Sequence, residues 1–281
     1  MGILVAKTVP ELRAQVANWR GQGARVALVP TMGALHEGHL ALVRQGASKA
    51  NRVVVSIFVN PAQFAPHEDF DKYPRTFEAD KTKLEETGAA HLIYAPATRE
   101  MYPEGFVTKV SLDGPAAGLE SDFRPHFFGG VATVVTKLFT QCRPDIAMFG
   151  EKDYQQLLVV KRMARDLDLG VEIVPCPIVR EADGLALSSR NAYLDAGQRK
   201  IAASLNRVLA DVATRVRRGA SIPVAEAEGA AALLTAGFER VDYVAVRDAE
   251  TLAMIHDVKR PARVLAAAWL GETRLIDNMA V

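Results

Sequence analysis

The first 180 residues alternate short apolar runs with longer amphipathic stretches. The runs are rich in β-branched residues and predict strands at residues 25–29, 53–59, 91–94, 146–149 and 171–174. Between them, apolar residues recur every three or four positions, which predicts helices at residues 76–87, 131–141 and 154–167. Because strands that alternate with helices are typical of βαβ units, we predict a Rossmann-like, doubly wound parallel sheet of the α/β class.

The pattern changes after residue 180. Residues 196–218 and 224–236 are predicted to be helices, and residues 240–247, 263–270 and 273–279 are predicted to be strands. Helices followed by a group of strands indicate a separate, smaller α+β domain. We therefore predict a ligand-binding domain over residues 1–180 and a C-terminal domain over residues 181–281 that closes over the site, with the polar segment 180–191 connecting them.

Composition narrows the class of protein. The chain has 281 residues, 49% apolar and 24% charged, and its net charge of +1 gives no reason to expect a nucleic-acid partner. The longest apolar stretches, such as residues 264–270, are far shorter than the roughly 18 to 20 residues that span a membrane. The apolar run at residues 3–6 is short, and Ala6 stands where a myristoylation signal has Ser or Thr, so we expect a cytoplasmic protein. The two cysteines are too few for a disulfide framework and are interpreted as core residues.

The first candidate site follows the strand predicted at residues 25–29. The chain there reads Pro30-Thr31-Met32-Gly33-Ala34-Leu35-His36-Glu37-Gly38-His39 and continues as an apolar-periodic helix. A strand, a glycine-containing turn and a helix start favour phosphate binding, and two imidazoles three residues apart can donate from one face. The alternative is a helix cap with two solvated histidines. Zinc is less favoured, because the metalloprotease helix spaces its histidines by four.

A second candidate site opens the helix predicted from residue 154. Gly150-Glu151-Lys152-Asp153 follows a strand, and Gln155 and Gln156 come next. Lys152 could place a point charge on a polyphosphate, Asp153 could cap the helix, and the two amides offer donors and acceptors. A capped, solvated turn would have the same residues.

A third candidate site lies in the segment that joins the two domains. Leu187-Ser188-Ser189-Arg190 offers two hydroxyls and a guanidinium, a set that suits a triphosphate in a loop able to close. Such a tripeptide also occurs by chance in surface loops, so this site depends on the other two.

Together these segments resemble a known family. His36-x-x-His39 after a strand, with Ser188-Ser189-Arg190 near the end of the first domain, is similar to the HIGH and KMSKS pair of adenylate-forming nucleotidyltransferases. The longer strings resemble the pantothenate synthetase family, the pantoate–β-alanine ligases, in order over nearly the whole chain: PTMGALHEGH, SIFVNPAQF, DFDKYPR, FGEKDYQQL, DGLALSSRN and AAWLGETRLIDN.

The resemblance implies an AMP-forming ligase of pantothenate and coenzyme A biosynthesis, with a nucleotide- and pantoate-binding first domain. Pantoate attacks the α-phosphate of ATP to give pantoyl adenylate and pyrophosphate, and β-alanine then displaces AMP. ATP is a substrate, its Mg²⁺ is expected to be bound mainly through the phosphates rather than in a separate protein metal site, and a homodimer is expected. The residues implied to neutralise charge in catalysis are His36, His39, Lys152, Ser188, Ser189 and Arg190.

The resemblance also assigns binding residues by matching position. His39 corresponds to the family's proton donor, Gln63 to a ligand of both pantoate and β-alanine, and Gln156 to a second pantoate ligand. Gln63 follows the strand predicted at residues 53–59, at the end of a parallel sheet where ligands bind, although taken alone it would be a surface glutamine. The positions that correspond to the ATP site are Met32, Gly33, Ala34, Leu35, His36, Glu37, Gly38, His39, Gly150, Glu151, Lys152, Asp153, Val179, Leu187, Ser188, Ser189 and Arg190.

One loop departs from the family pattern. Related sequences commonly read Arg-Pro-Gly-His-Phe-Arg-Gly-Val, whereas this chain has Phe127 in place of the histidine and Gly129 in place of the second arginine.

Two rival classes of protein fit the sequence less well. The rival among enzymes is another nucleotidyltransferase or a fragment of an aminoacyl-tRNA synthetase. A tRNA ligase should have a basic surface and an anticodon-binding module, and neither the net charge of +1 nor the residues after the first domain indicate one. A regulatory protein that binds nucleotide without catalysis should lack the reactive polar side chains, and all of them are present.

Overall fold

The structure is a computed structural model that describes residues 2–65, 68 and 70–281. Within these residues, six parallel strands form one sheet in the order β1-β4-β3-β2-β5-β6: β1 Leu4–Ala6, β2 Val26–Thr31, β3 Arg52–Ile57, β4 Leu92–Tyr94, β5 Ile146–Gly150 and β6 Glu172–Cys176. The helices of this half are α1 Val9–Gly21, α2 Glu37–Lys49, α3 Phe77–Thr87, α4 Thr98–Met101, α5 Glu120–Phe123, α6 Phe127–Cys142 and α7 Tyr154–Asp166. Because β2 has β3 on one side and β5 on the other, the winding reverses there, and such sheets bind ligands beyond the carboxyl ends of these strands.

The parallel sheet is covered on both faces. In β3, the side chain of Val54 packs into the core formed with α1, α6 and α7, while Val53 and Val55 pack into the core formed with α2 and α3. Successive side chains of a strand point to opposite faces, so a strand buried on both faces needs an unbroken apolar run. The doubly wound sheet predicted from the sequence is confirmed.

The boundaries of the predicted elements differ from the observed ones by a few residues, and two elements at the start of the chain were not predicted. β1 is three residues long and lies at the edge of the sheet, where Leu4 and Val5 remain 48% and 37% exposed. α1 is capped by Thr8 and Glu11, which form a reciprocal capping box.

The C-terminal half is a smaller α+β unit, as predicted. It contains α8 Ala196–Ala202, α9 Ser204–Arg217 and α10 Ile222–Ala236, followed by an antiparallel sheet of β7 Arg240–Asp248, β8 Ala262–Leu270 and β9 Thr273–Ala280. The single helix predicted over residues 196–218 is in fact two helices, α8 and α9, separated at Ala203. The Ser204 hydroxyl donates to the carbonyl of Ile201 at 2.6 Å, a bond that competes with the regular helix ladder.

The two halves meet through apolar and ionic contacts. Leu119 and Leu158 of the first half form a cluster with Ala245 and Leu265 of the antiparallel sheet. Beside it, Arg274 of β9 forms an ion pair with Glu120 of α5 at 2.6 Å, and both side chains are about nine-tenths buried. The boundary after residue 180 stays a prediction. Among the described residues, no helix is both long and apolar enough to cross a membrane.

Candidate active site

A cavity of about 1310 Å³ lies between the carboxyl ends of the parallel strands and the C-terminal sheet. Its wall includes most of the residues proposed from the sequence: Met32, His36, Gly38, His39, Gln63, Gly150, Lys152, Asp153, Gln156, Val179, Leu187, Ser188, Ser189 and Arg190. The fold therefore brings the three candidate segments and the two glutamines to one cavity.

Five of the proposed ATP-site residues are not part of this wall: Gly33, Ala34, Leu35, Glu37 and Glu151. Leu35 is buried in the core between the sheet and α2. The Glu37 side chain is exposed and pairs with Arg44 on the outer face of α2. The Glu151 side chain pairs with Arg263 of β8.

A buried carboxylate holds the turn between β2 and α2. Gly33 and Ala34 both have positive φ values, 86° and 50°. The backbone N–H groups of Ala34 and Leu35 donate to the carboxylate of Asp80 on α3 at 2.9 and 2.7 Å. The ammonium of Lys83, one turn further along α3, donates to the carbonyl of Leu35 at 2.6 Å. Helix α3 therefore fixes the path of the chain into the histidine pair.

The two histidines form the start of α2. Nδ1 of His36 accepts a hydrogen bond from the backbone N–H of Gly38 at 3.1 Å, and Nδ1 of His39 accepts one from the backbone N–H of His36 at 3.3 Å. A side chain at Gly38 would lie 2.8 Å from the His36 ring, so the cap requires glycine. The helix cap is therefore present, but its histidines are largely buried rather than solvated. Both rings also line the cavity, and their binding of a ligand stays a prediction.

Both imidazoles are neutral at physiological pH. Burial, with the nearby charge of Lys152, lowers the pKa of His36 from 6.5 to about 4. Burial, with His36 and Lys152, lowers the pKa of His39 from 6.5 to about 3. Because each Nδ1 accepts a backbone hydrogen bond, the proton of each neutral ring is on Nε2. Each ring can therefore donate one N–H bond to an anionic oxygen without carrying a charge.

Lys152 lies in a one-turn 3₁₀ helix, Glu151–Asp153, that connects β5 to α7. The side-chain amide of Asn278 on β9 donates to the carbonyls of Glu151 and Lys152 at 2.9 and 2.8 Å. The predicted capping role of Asp153 is wrong, since its side chain makes no capping hydrogen bond to α7. The turn is held from the other domain instead.

Gln63 has a fixed orientation at the end of β3. Its neighbour Asn60 accepts from the backbone N–H of Ala62 at 3.3 Å and donates to the carbonyl of Gly130 at 3.1 Å, which settles the direction of the Asn60 amide. Asn60 Nδ2 therefore donates to Oε1 of Gln63 at 2.9 Å. The Nε2 end of Gln63 is left as a donor for a ligand, and the side chain is 8% exposed.

The two glutamines of α7 both contribute to the cavity wall but differ in their hydrogen bonds. Gln155 is buried, accepts from the backbone N–H of Glu120 at 3.1 Å, and donates to the carbonyls of Pro115 and Gly118 at 3.0 and 3.1 Å. The sequence suggested that both amides offer groups to a ligand, but Gln155 uses its hydrogen bonds on the loop before α5.

The segment Ser188–Arg190 contacts the histidine loop directly. The Ser189 hydroxyl donates to the carbonyl of Ala34 at 3.1 Å, and Oγ of Ser188 accepts from the backbone N–H of Arg190 at 3.3 Å. Leu187 is held by a hydrogen bond from its N–H to the carbonyl of Val179 at 3.0 Å. The two segments similar to the HIGH and KMSKS motifs are thus neighbours.

The loop that departs from the family pattern lies beside Gln63. Arg124 stacks over the ring of Phe127 at 4.0 Å, pairs with Glu68 at 2.6 Å, and donates to the carbonyl of Gln63 at 3.0 Å. Phe127 therefore supports Arg124. Gly129 has open space around its Cα, so packing does not require glycine there.

Four polar residues that contribute to the site were not identified from the sequence: Asn60, Asp80, Lys83 and Asn278. Asp80 lies one turn before Leu84 on the buried face of α3, and a carboxylate at an apolar position was a detectable signal. Asn278 follows Asp277 in the sequence, so no apolar pattern marks it, and its burial is seen only in the structure. Among the described residues, no group of three or more His, Cys, Asp or Glu is placed to hold a metal ion.

The chain is similar to proteins of known activity over its whole length. The sequence model of the pantoate-beta-alanine ligase family matches residues 4–280. The pantothenate synthetase of Nitrobacter hamburgensis is 59% identical over 279 residues, covering 99% of this chain and 98% of the relative. That of Mesorhizobium japonicum is 57% identical over 277 residues, covering 99% and 97%.

Solved structures of the same family match the fold of this chain. Pantothenate synthetase from Thermus thermophilus matches with a TM-score of 0.92 at 48% identity and covers 99% of both chains. Pantoate-beta-alanine ligase from Francisella tularensis, solved in complex with beta-gamma ATP and beta-alanine, matches with a TM-score of 0.83 at 29% identity and covers 99% of this chain and 97% of that one.

Proposed function

The chain belongs to the pantoate-beta-alanine ligase family, and we propose that the interdomain cavity carries out the family's reaction through a pantoyl adenylate. The enzyme condenses pantoate with β-alanine at the expense of ATP in pantothenate biosynthesis. The observation that carries the assignment of the site is the convergence of His36, His39, Lys152 and the Ser188–Arg190 segment on one cavity at the point where the sheet winding reverses.

Adenylation needs charge neutralisation, because a carboxylate attacks a polyanion. The neutral Nε2–H groups of His36 and His39 donate to phosphate oxygens, and the ammonium of Lys152 adds a positive charge on the wall of the same cavity. Ser188, Ser189 and Arg190 bind the phosphates that leave as pyrophosphate. Since the folded-state pKa of His39 is about 3, this residue donates a hydrogen bond from neutral imidazole and is not an imidazolium acid in the resting enzyme.

Pantoate binds between the ends of β3 and β5. The Nε2 donor of Gln63 and the amide of Gln156 face this part of the cavity, and both are uncharged. Neutral amides bind the hydroxyls and carboxylate of pantoate without a cation that would draw electron density from the attacking carboxylate. The same donor of Gln63 then meets the carboxylate of β-alanine in the second half-reaction.

Magnesium enters with ATP in this proposal. Mg²⁺ in nucleotide sites commonly has one or two protein carboxylates and substrate phosphates as ligands, and it lowers the negative charge that the attacking carboxylate meets. Asp153 is a carboxylate on the cavity wall next to Lys152, so it is the residue that would contact the ion.

We also propose a cytoplasmic homodimer. The reaction consumes ATP, and Cys142 and Cys176 are buried free thiols, both consistent with a reducing, ATP-containing compartment. The homodimer is inferred from membership of the family. Sedimentation should give twice the 30.5 kDa mass of one chain, and a single-chain mass would contradict the dimer.

The adenylate route is tested by isotope exchange. Without β-alanine, the enzyme should exchange labelled pyrophosphate into ATP only when pantoate is present, because the adenylate forms reversibly. Exchange that requires β-alanine, or that occurs without pantoate, would contradict the route.

A further inference from the structure

The turn that carries Lys152 is attached to the C-terminal sheet by one buried amide. Asn278 of β9 is 2% exposed, and its Nδ2 donates to the carbonyls of both Glu151 and Lys152 at 2.9 and 2.8 Å. Its Oδ1 accepts from Nε of Arg263 on β8 at 2.5 Å. Every polar atom of the Asn278 side chain is therefore used, and two successive peptide planes of the turn are fixed.

Arg263 extends the same attachment to the residues on either side of Lys152. Its guanidinium pairs with the carboxylate of Glu151 at 3.2 Å and lies 3.9 Å from the ring centre of Tyr154. The Tyr154 hydroxyl donates to the carbonyl of Ala249, also in the C-terminal half, at 2.8 Å. The C-terminal sheet thus contacts the turn before and after Lys152 and leaves the lysine side chain on the cavity wall.

The turn has no side-chain cap of its own. Asp153 provides no side-chain cap for α7, and Gly150 provides none for the 3₁₀ turn. A lysine ammonium on a four-carbon stem is directed by the backbone that carries it, and a displacement of about 1 Å at a catalytic group can cost roughly 100-fold in rate. The orientation of these two peptide planes therefore determines where the ammonium meets the phosphates.

We propose that Asn278 is a positioning residue for adenylate formation: it acts through Lys152, by holding the Glu151 and Lys152 carbonyls against the C-terminal sheet. The inference rests on the phosphate-binding role proposed above for Lys152. It gives the terminal Leu-Ile-Asp-Asn segment of the sequence a part in ATP chemistry, although Asn278 reaches the turn from 126 residues away in the chain.

The test is a double-mutant cycle on single-turnover adenylation, measured with MgATP and pantoate in the absence of β-alanine. Asn278→Ala should slow adenylation by roughly 10- to 100-fold and raise the KM for ATP, while the KM for pantoate and the capture of preformed pantoyl adenylate by β-alanine change less than about twofold. In the Lys152→Ala background, Asn278→Ala should have almost no further effect, because residues that act through one group are not additive.

Two further variants separate positioning from general destabilisation. Asn278→Asp keeps the size of the side chain and an acceptor for Arg263 but removes both N–H donors, so it should be as impaired as Asn278→Ala. Glu226→Ala is the matched control: Glu226 accepts from the backbone N–H of Val246 at 2.7 Å, inside the C-terminal domain and away from the cavity wall. It should lower the melting temperature while adenylation kinetics stay unchanged.

The outcomes are distinguishable. If Lys152→Ala leaves adenylation intact, the role proposed for Lys152 is wrong, and Asn278 cannot act through it. Suppose instead that Lys152→Ala greatly slows adenylation, and that Asn278→Ala slows the Lys152→Ala enzyme by the same factor as it slows the unmodified enzyme. The phosphate-binding role of Lys152 then stands, and the positioning role of Asn278 is overturned. Normal adenylation in a folded Asn278→Asp variant would overturn it as well.

Discussion

The orientation of Gln63 can be tested by reversing the polarity of one end of its side chain. In the structure Asn60 donates to Oε1 of Gln63, so the Nε2 end is left to donate to the pantoate that we propose binds in the cavity. Gln63→Glu has nearly the same shape but offers an oxygen at that end. If Gln63 were an acceptor for a pantoate hydroxyl, glutamate would serve as well as glutamine. If it is a donor, as the hydrogen bonds indicate, Gln63→Glu should be worse than Gln63→Ala.

The size of the difference follows from charge. Losing one N–H donor to a carboxylate costs about 1.5 to 3 kcal/mol, so Gln63→Ala should lose about 10- to 150-fold in kcat/KM for pantoate. A second carboxylate about 4 Å from that of pantoate adds roughly 4 kcal/mol at an effective dielectric constant near 20. The repulsion cannot cost more than protonating the glutamate, because a protonated glutamate no longer repels pantoate. For a glutamate of ordinary pKa, protonation costs roughly 4 kcal/mol at about pH 7.5, and about 1.4 kcal/mol less for each pH unit below 7.5.

The assay is pantoate-dependent pyrophosphate exchange between about pH 5.5 and 7.5, normalised to the unmodified enzyme at each pH. At about pH 7.5, Gln63→Glu should be less active than Gln63→Ala. As the pH falls, the activity of Gln63→Glu relative to Gln63→Ala should rise by up to about tenfold per pH unit. The KM for ATP of both Gln63 variants should stay within a few-fold of that of the unmodified enzyme. In both variants, the reaction of preformed pantoyl adenylate with β-alanine should be slow. Gln156→Ala should impair mainly the first half-reaction. Equal or higher activity of Gln63→Glu at the upper pH would show that the oxygen of Gln63 faces pantoate.

Four other changes test the ATP side of the cavity. Lys152→Ala should keep its melting temperature but lose at least about 100-fold in pyrophosphate exchange, since one preorganised phosphate contact is worth about 2.7 to 4 kcal/mol; near-normal exchange would exclude this contact. His39→Asn, which can still accept the backbone bond and donate, should keep more single-turnover adenylation activity than His39→Ala, and equal severe losses would point to proton transfer by the ring. The pKa values of His36 and His39 are lowered from 6.5 to about 4 and about 3, so the unfolded chain binds more protons below pH 6.5 and stability should fall as the pH drops from 6.5 towards 4. Urea unfolding should show this loss, and His39→Asn should show less of it. Asp80→Asn can accept only one of the two backbone N–H bonds well, so it should lose about 1.5 to 3 kcal/mol in urea unfolding and raise the KM for ATP; unchanged stability would contradict the role of Asp80 in the turn.

The elements that were predictable from the sequence are those whose burial leaves a periodic pattern. Val53, Val54 and Val55 are fully buried because β3 is covered on both faces, and the resulting apolar run was identified directly. β1 has three residues and one partner, with Leu4 and Val5 partly exposed, so it leaves no comparable run. Its position depends on pairing with β4, about 90 residues later, which local pattern does not encode.

The same distinction separates the candidate-site residues that the sequence identifies from those that it does not. His36 and Lys152 each lie where a strand passes into a helix, so their placement follows from short-range order and from the winding of the sheet. The residues that hold their loops come from distant parts of the chain: Asp80 lies 46 residues after Ala34, and Asn278 lies 126 residues after Lys152. Nothing local to either turn specifies these partners.

The burial of these distant residues is nevertheless informative, because burying a polar group without a hydrogen bond costs several kcal/mol. Asp80 occupies a core-facing position of an amphipathic helix, and Asn278 is buried in the last strand. A buried Asp or Asn is tolerated only when something else in the fold satisfies it, and in both cases that partner is the backbone of a loop at the cavity. The sequence contains this signal for Asp80, which interrupts the apolar face of α3, but not for Asn278, which follows Asp277 and whose burial is seen only in the structure. Even for Asp80, the pattern does not say which loop the side chain holds.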